Sequence, residues 1–284
     1  MTDAAAGSAL RRRSEVDLQR RERAIRYVSA TPSGASVAVL DLDAAGPVRV
    51  YVGGLGSATT VGFAQVVGHP GLAGAGRHVL VDLIGSGWSD HDDTFGHTID
   101  QHAGTVLTVL EKLALKHVKL IGHSLGGSVA ISLAAQRPDL VGHLVVAEPN
   151  LDPGIGTFSA EITAFDEDTF AATEFRRIAD DLLAQGAAGD DGAGQFARTL
   201  LRWSPRGLHR TAVSLLASRP ATFREQLAAF GGPRTYISGE LSGEDLGPLR
   251  DAGCEVRDVP SAGHVLMWDN LDGFVAAITG HDLR

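Results

Sequence analysis

Gly122-His123-Ser124-Leu125-Gly126 stands between a short apolar run, Val118-Lys119-Leu120-Ile121, and a stretch of helical character from Ser128 to Ala135. A serine flanked by glycines at the junction of a strand and a helix requires a turn so tight that Cβ atoms beside it would clash. A strand feeding a helix in this way is a unit of a parallel, helix-covered sheet. The same turn has a chemical meaning, because a serine hydroxyl attacks poorly unless it is held in the open with a base beside it. With 35 glycines in 284 residues the five-residue pattern alone would be weak. Its position after a strand and before a helix gives it weight.

The rest of the chain fits such a sheet. Strands are expected at Ser36 to Leu40, Val48 to Val52, His78 to Asp82, Val118 to Ile121 and Leu144 to Ala147. The last two are near-continuous apolar runs, as in strands buried on both faces. Thr98 and Gln101 predict a capping box, opening a helix with Val106, Leu107, Leu110, Leu113 and Ala114 on one stripe. From Leu151 to about Phe230 strands stop, and Phe165, Phe170, Phe175, Leu182, Phe196, Leu200 and Trp203 fall at helical spacings, with a break between Gly186 and Gly194. Strands are expected again at Arg234 to Ser238 and Cys254 to Val259, with helices near Leu246 and around Phe274. The fold class is therefore α/β, a doubly wound, mostly parallel sheet with an inserted helical cap. The expected boundaries are a charged extension over 1–24, the first core part over 25–150, the cap over 151–231 and the second core part over 232–284.

Composition limits what such a chain does. There are 34 Asp and Glu against 25 Lys and Arg, a formal charge of −9, which disfavours nucleic acid as a partner. Cys254 is the single cysteine, so no internal disulfide forms, and no run approaches the roughly 18 apolar residues of a membrane span. Arg11-Arg12-Arg13 is followed by Ser14-Glu15-Val16-Asp17, which lacks the apolar stretch of a secretory signal. A cytoplasmic protein acting on a small molecule is expected, with no membrane or nucleic-acid partner, and nothing in the sequence fixes its oligomeric state.

Acyl transfer needs a nucleophile, a base, a group to orient the base, and donors for the oxyanion. Ser124 is the nucleophile. His264, in Pro260-Ser261-Ala262-Gly263-His264 after the last strand, is the base. His123 sits within the turn and shapes it, while His91, His97, His102 and His209 show no metal-ligand spacing. Glu148, which ends an apolar strand and precedes Pro149, is the chosen acid, since a carboxylate there needs a partner such as an imidazolium. Glu240, Glu244, Asp245 and Asp152 are its rivals. The oxyanion donors are the N–H groups of Leu125 and of Leu55 in Gly53-Gly54-Leu55-Gly56. A dinucleotide site is excluded, because neither Gly54-x-Gly56 nor Gly85-x-Gly87 is completed by a third glycine.

With these pieces assembled, the chain resembles the α/β-hydrolase superfamily, in particular its capped, lipase-like or haloperoxidase-like esterases. Gly53 to Gly56, Asp82-Leu83-Ile84-Gly85-Ser86-Gly87-Trp88-Ser89-Asp90, Gly122 to Gly126 and Gly263-His264 occur in the family's order, and the resemblance covers nearly everything after residue 24. Gly53 stands where the family usually has histidine. Gly239-Glu240-Leu241-Ser242 ends on serine where members commonly carry the acid. Haloalkane dehalogenases and a fungal-toxin lactonase instead take a glutamate from the end of the sixth strand, and Glu148 looks like that variant; a dehalogenase would itself need aspartate in place of Ser124.

The expected function is a serine hydrolase cleaving an ester or lactone of a small, largely apolar substrate, with no metal or organic cofactor. Gly54, His123, Phe158 and Trp203 are expected to line its substrate site. The same triad would also serve carbon–carbon hydrolysis, acyl transfer or cofactor-free perhydrolysis. A non-enzymatic binding protein on the same scaffold is the remote alternative.

Overall fold

The computed structural model describes residues 25–280 apart from 155 and 244. The extension over 1–24, with its arginine run, and the rival carboxylate Glu244 lie outside the described residues.

Eight strands form one sheet: β1 (Ile25–Ser29), β2 (Ser36–Leu42), β3 (Val48–Val52), β4 (Arg77–Val81), β5 (Val118–His123), β6 (Val141–Ala147), β7 (Arg234–Gly239) and β8 (Glu255–Val259). Their order is β1-β2-β4-β3-β5-β6-β7-β8. β2 runs antiparallel to both neighbours and every other pair is parallel. Side-chain alternation divides the core in two. Leu144 and Val146 of β6 pack with Val50, Val52 and the helices Ile99–Lys112 and Leu125–Gln136. Val145 and Ala147 face the other way, with Tyr51, Phe63 and Phe274 of the closing helix Leu271–Thr279. Helices therefore cover both faces.

The helix from Ile99 begins with the expected capping box, Thr98 Oγ1 accepting the Gln101 N–H while Gln101 reaches back to the Thr98 N–H. Between β6 and β7 the described residues contain no strand. They form helices at Thr157–Thr163, Phe175–Ala187, Asp191–Leu200, Pro205–Leu216 and Phe223–Ala229, with a wide turn at Phe170–Glu174. The 175–187 and 191–200 helices form a tight hairpin, because a Cβ on Gly186 would come within 2.6 Å of the Gly194 Cα. No helix among the described residues is long and apolar enough to cross a membrane.

The run Asp82 to Asp90 works as a staple. Asp82, fully buried just past β4, accepts the Thr60 N–H and hydroxyl at 2.9 Å each and the Trp88 N–H at 3.0 Å. It thereby joins the loop after β4 to the helical turn that follows the β3 loop. Gly87 is required because a Cβ there would lie 2.1 Å from Asp82 Oδ2.

Candidate active site

The site lies at the C-terminal ends of β3, β5, β6 and β8, where open parallel sheets gather ligands. At the end of β5, Ser124 adopts φ 53° and ψ −125°, a conformation that side-chain-bearing residues rarely take. Two glycines make the turn possible. A Cβ on Gly122 would lie 2.2 Å from the Gly126 carbonyl oxygen, and one on Gly126 would lie 2.1 Å from the Val52 carbonyl oxygen of β3. The turn is fixed from below by the Ser124 N–H on the Ala147 carbonyl at 2.8 Å and by the Gly127 N–H on the Ser124 carbonyl at 2.8 Å. Strand pairing and sterics therefore hold the hydroxyl out into the open.

His264 Nε2 lies 3.0 Å from Ser124 Oγ. Its loop is anchored by His123, whose Nε2–H donates to the His264 carbonyl at 2.8 Å. Burial, followed by the neighbouring His264, pushes the His123 pKa down to about 3, so this ring is a neutral donor at ordinary pH. His123 therefore braces the turn and the His264 loop together.

Glu148 follows β6 with φ 49°. Its N–H still pairs with the Ile237 carbonyl of β7 at 3.1 Å, while its side chain turns over the sheet rim. Oε2 lies 3.7 Å from His264 Nδ1, an ion-pair distance longer than a hydrogen bond. Oε1 accepts the Gly239 N–H at 2.7 Å and the Ser238 hydroxyl at 3.3 Å. The carboxylate is 9% exposed. Burial pushes its pKa up, but His264, the Gly239 N–H and Ser242 together hold it below the usual glutamate range. A charged Glu148 facing Nδ1 and a serine hydroxyl facing Nε2 are the arrangement in which an imidazole can accept a proton from the hydroxyl.

The other carboxylates are engaged differently. Glu240 is exposed and accepts the Ser261 N–H at 2.7 Å. Asp245 precedes the helix Gly247–Asp251 rather than opening it, and accepts the Gly247 N–H at 3.0 Å. Asp152 lines the cavity described below, where Arg224 Nη2 binds it at 2.7 Å.

Leu125 follows Ser124 directly in the chain, and Leu55 follows Gly54, which lies against Ser124. Leu125 is the first residue of its helix, so no earlier turn supplies an acceptor for its N–H. Among the described residues neither the Leu55 nor the Leu125 N–H has a hydrogen-bond acceptor. A Cβ on Gly54 would crowd Ser124 Cβ and His123 Nδ1 at 3.2 Å each, so the loop packs closely on the serine turn. The loop's support, at the position where the family usually has histidine, comes from Thr59 Oγ1, which accepts the Gly53 N–H at 2.9 Å. That partner lies six residues away and left no signature in the loop motif.

A cavity of about 1200 Å³ opens over Ser124, Glu148 and His264. Gly54 and His123 line it, and so does Phe158, which meets Phe196 edge-on with ring centroids 5.3 Å apart. Leu182, Phe196, Leu215 and Trp268 extend the apolar wall. Trp203 corrects the expectation drawn from sequence. It is not among the lining residues; it is 2% exposed, and its indole N–H donates to the Ser57 carbonyl at 3.0 Å. Its hydrophobic body is consumed in packing the cap onto the β3 loop. Phe196 is the wall residue the sequence missed, since helical periodicity shows that it packs but not which cavity it meets.

The fold and this arrangement define a hydrolase of the α/β class. The family model for the alpha/beta hydrolase fold matches residues 54–232, and the chain belongs to that family. Among curated proteins it is similar to the sn-1-specific diacylglycerol lipase ABHD11 of Mus musculus, 30% identical over 267 residues, covering 87% of this chain and 85% of that protein. Among solved structures it resembles a thermophilic esterase from Thermogutta terrifontis, with a TM-score of 0.75, 17% identity, and coverage of 90% of this chain and 97% of that one. An enol-lactonase from Burkholderia xenovorans superposes with a TM-score of 0.74, 19% identity, and coverage of 90% and 98%.

Proposed function

We propose that this hydrolase cleaves a carboxylic ester or lactone of a largely apolar substrate through an acyl-enzyme on Ser124. The observation that carries the proposal is the 3.0 Å approach of His264 Nε2 to Ser124 Oγ, with Glu148 Oε2 behind Nδ1. His264 takes the hydroxyl proton as Oγ bonds to the acyl carbon. Glu148 stabilises the resulting imidazolium, and the Leu55 and Leu125 N–H groups receive the oxyanion. The carbon–oxygen bond to the leaving alcohol then breaks, and His264 delivers the proton to that oxygen. Water, deprotonated by His264, attacks the acyl carbon, and the proton returns to Ser124 as the acid leaves.

The cavity supports an ester of some size, because about 1200 Å³ exceeds what a short acyl group fills. The printed activity of the mouse relative, an sn-1-specific diacylglycerol lipase, makes acylglycerols the first natural esters to assay. The test is turnover of p-nitrophenyl esters, acylglycerols and lactones by the wild type, Ser124→Ala and His264→Ala. Each substitution is expected to lower kcat by roughly 10³- to 10⁶-fold, as deletions in comparable triads do. A Ser124→Ala protein keeping more than a tenth of wild-type turnover ends the proposal.

A further inference from the structure

We infer that the cap holds the oxyanion loop in its working position, with Phe196 and Trp203 acting as positioning residues for the Leu55 N–H. The inference rests on the serine-hydrolase reading above.

The loop from Gly53 to Ser57 is fastened from two sides. On the core side are the Gly53 N–H to Thr59 Oγ1 bond, at 2.9 Å, and the turn bond from the Ser57 N–H to the Gly54 carbonyl, at 3.0 Å. Both lie close in sequence to the loop, and the second holds the Gly54–Leu55 peptide itself, because the Gly54 carbonyl and the Leu55 N–H belong to one unit; it does so only while Gly56 and Ser57 keep their places. On the cap side, Phe196 and Leu200 lie directly against Gly56, whose φ is +78°. A Cβ at Gly56 would sit 2.7 Å from Phe196 Cζ, 2.9 Å from its Cε2 and 3.3 Å from Leu200 Cδ1. One residue further along, the Ser57 carbonyl accepts the Trp203 indole N–H at 3.0 Å. A single helix, Asp191–Leu200, and the turn after it thus cover the two residues that follow Leu55.

A backbone N–H stabilises an oxyanion only when it is aimed before the charge develops, and errors well below 1 Å cost rate. The turn bond that aims this peptide closes through Ser57 and through Gly56 at positive φ, the residue with the least intrinsic conformational restriction. Phe196 and Trp203 hold those two residues of the turn from outside the core. Phe196 also lines the cavity, so it meets the acyl group on one side and the loop on the other. Trp203 lines no part of the cavity and reaches the chemistry only through the loop.

That difference sets the experiment. Hydrolysis of p-nitrophenyl acetate and p-nitrophenyl octanoate is measured for Trp203→Phe, Phe196→Leu and Phe196→Ala, with the inhibition constant of phenylboronic acid, which forms a tetrahedral adduct on the serine. Trp203→Phe is expected to lower kcat on the acetate about 3- to 10-fold, and Phe196→Ala about 10-fold or more, as fractions of the 10²- to 10³-fold lost when an oxyanion donor is deleted. KM should stay within about twofold for Trp203→Phe, and phenylboronic acid should weaken in step with kcat. Phe196→Leu should fall between wild type and alanine. Acetate kcat within twofold of wild type for both Trp203→Phe and Phe196→Leu, with losses confined to octanoate KM, would make Phe196 only a wall residue and overturn the inference. Should Phe196→Ala fail to fold, Trp203→Phe decides alone. A wild type that hydrolyses these esters while both variants match it defeats this inference and leaves the proposed function standing; an active Ser124→Ala protein defeats the function itself.

Discussion

The Oε1 of Glu148 accepts the backbone N–H of Gly239 at 2.7 Å, which ties the end of β6 to the end of β7 and turns Oε2 towards His264. A glutamine at 148 would place an amide where a charge faces the imidazole, and a donor beside either the Gly239 N–H or Nδ1–H. Glu148→Gln is therefore expected to lower kcat about 10²- to 10⁴-fold. Glu240→Gln and Asp245→Asn, whose carboxylates serve loop N–H groups, should each cost less than about tenfold in the same assay. The reverse ordering, on folded variants, would move the acid to the loop after β7.

Glycines of the nucleophile turn and of an open helix should respond in opposite directions. At Gly126 an added Cβ would meet the Val52 carbonyl at 2.1 Å, and neither the strand nor the turn has room to give. Gly126→Ala is expected to destabilise by about 3 kcal/mol or more, at the upper end of the cost of overpacking a filled site. Gly104 lies within Ile99–Lys112 with nothing within 4 Å of its would-be Cβ. Gly104→Ala should stabilise by about 0.5–1 kcal/mol through helix propensity. Urea unfolding of both variants measures the difference.

Acidification should weaken the fold first through its buried histidines. In the unfolded chain an imidazole titrates near 6.5. In the folded chain burial holds His102 well below that value and His123 at about 3, and His78, His97 and His143 are lowered in the same direction. Below pH 6.5 the unfolded state therefore binds protons that the folded state refuses, and stability falls with pH, by up to about 1.4 kcal/mol per pH unit for each fully buried ring. The depressed carboxyls of Glu148 and Glu167 add their loss only below the ordinary glutamate value. Thermal melts should thus be level from pH 8 to 7 and fall between pH 6.5 and 5. A Tm unchanged down to pH 5 would contradict this.

Much of this was legible because sterics and charge act locally. Gly122 and Gly126 are glycines because of contacts made within and beside their own turn, so five letters reveal it. β5 and β6 are apolar on both faces because helices cover both. β1 escaped notice for the opposite reason. It is an edge strand with a single buried residue, Val28, and Ile25 and Tyr27 exposed, so it carries no apolar signature. Trp203 was misplaced and Phe196 overlooked because Phe196 lies on an amphipathic cap helix and Trp203 in the turn after it, and spacing alone does not distinguish a side chain turned to the cavity from one turned to the β3 loop. Glu148 could be chosen over its rivals because it terminates an apolar strand, but the Gly239 N–H that aims it comes from 91 residues away.

The central claim is that Ser124 is an activated nucleophile. It is tested most directly by treating the protein with a fluorophosphonate and locating the adduct by peptide mass spectrometry. The account predicts a single rapid modification on Ser124, absent in Ser124→Ala and strongly slowed in His264→Ala, with loss of esterase activity in step with labelling. An unlabelled Ser124 in the folded wild type, or activity that survives its complete modification, would contradict it.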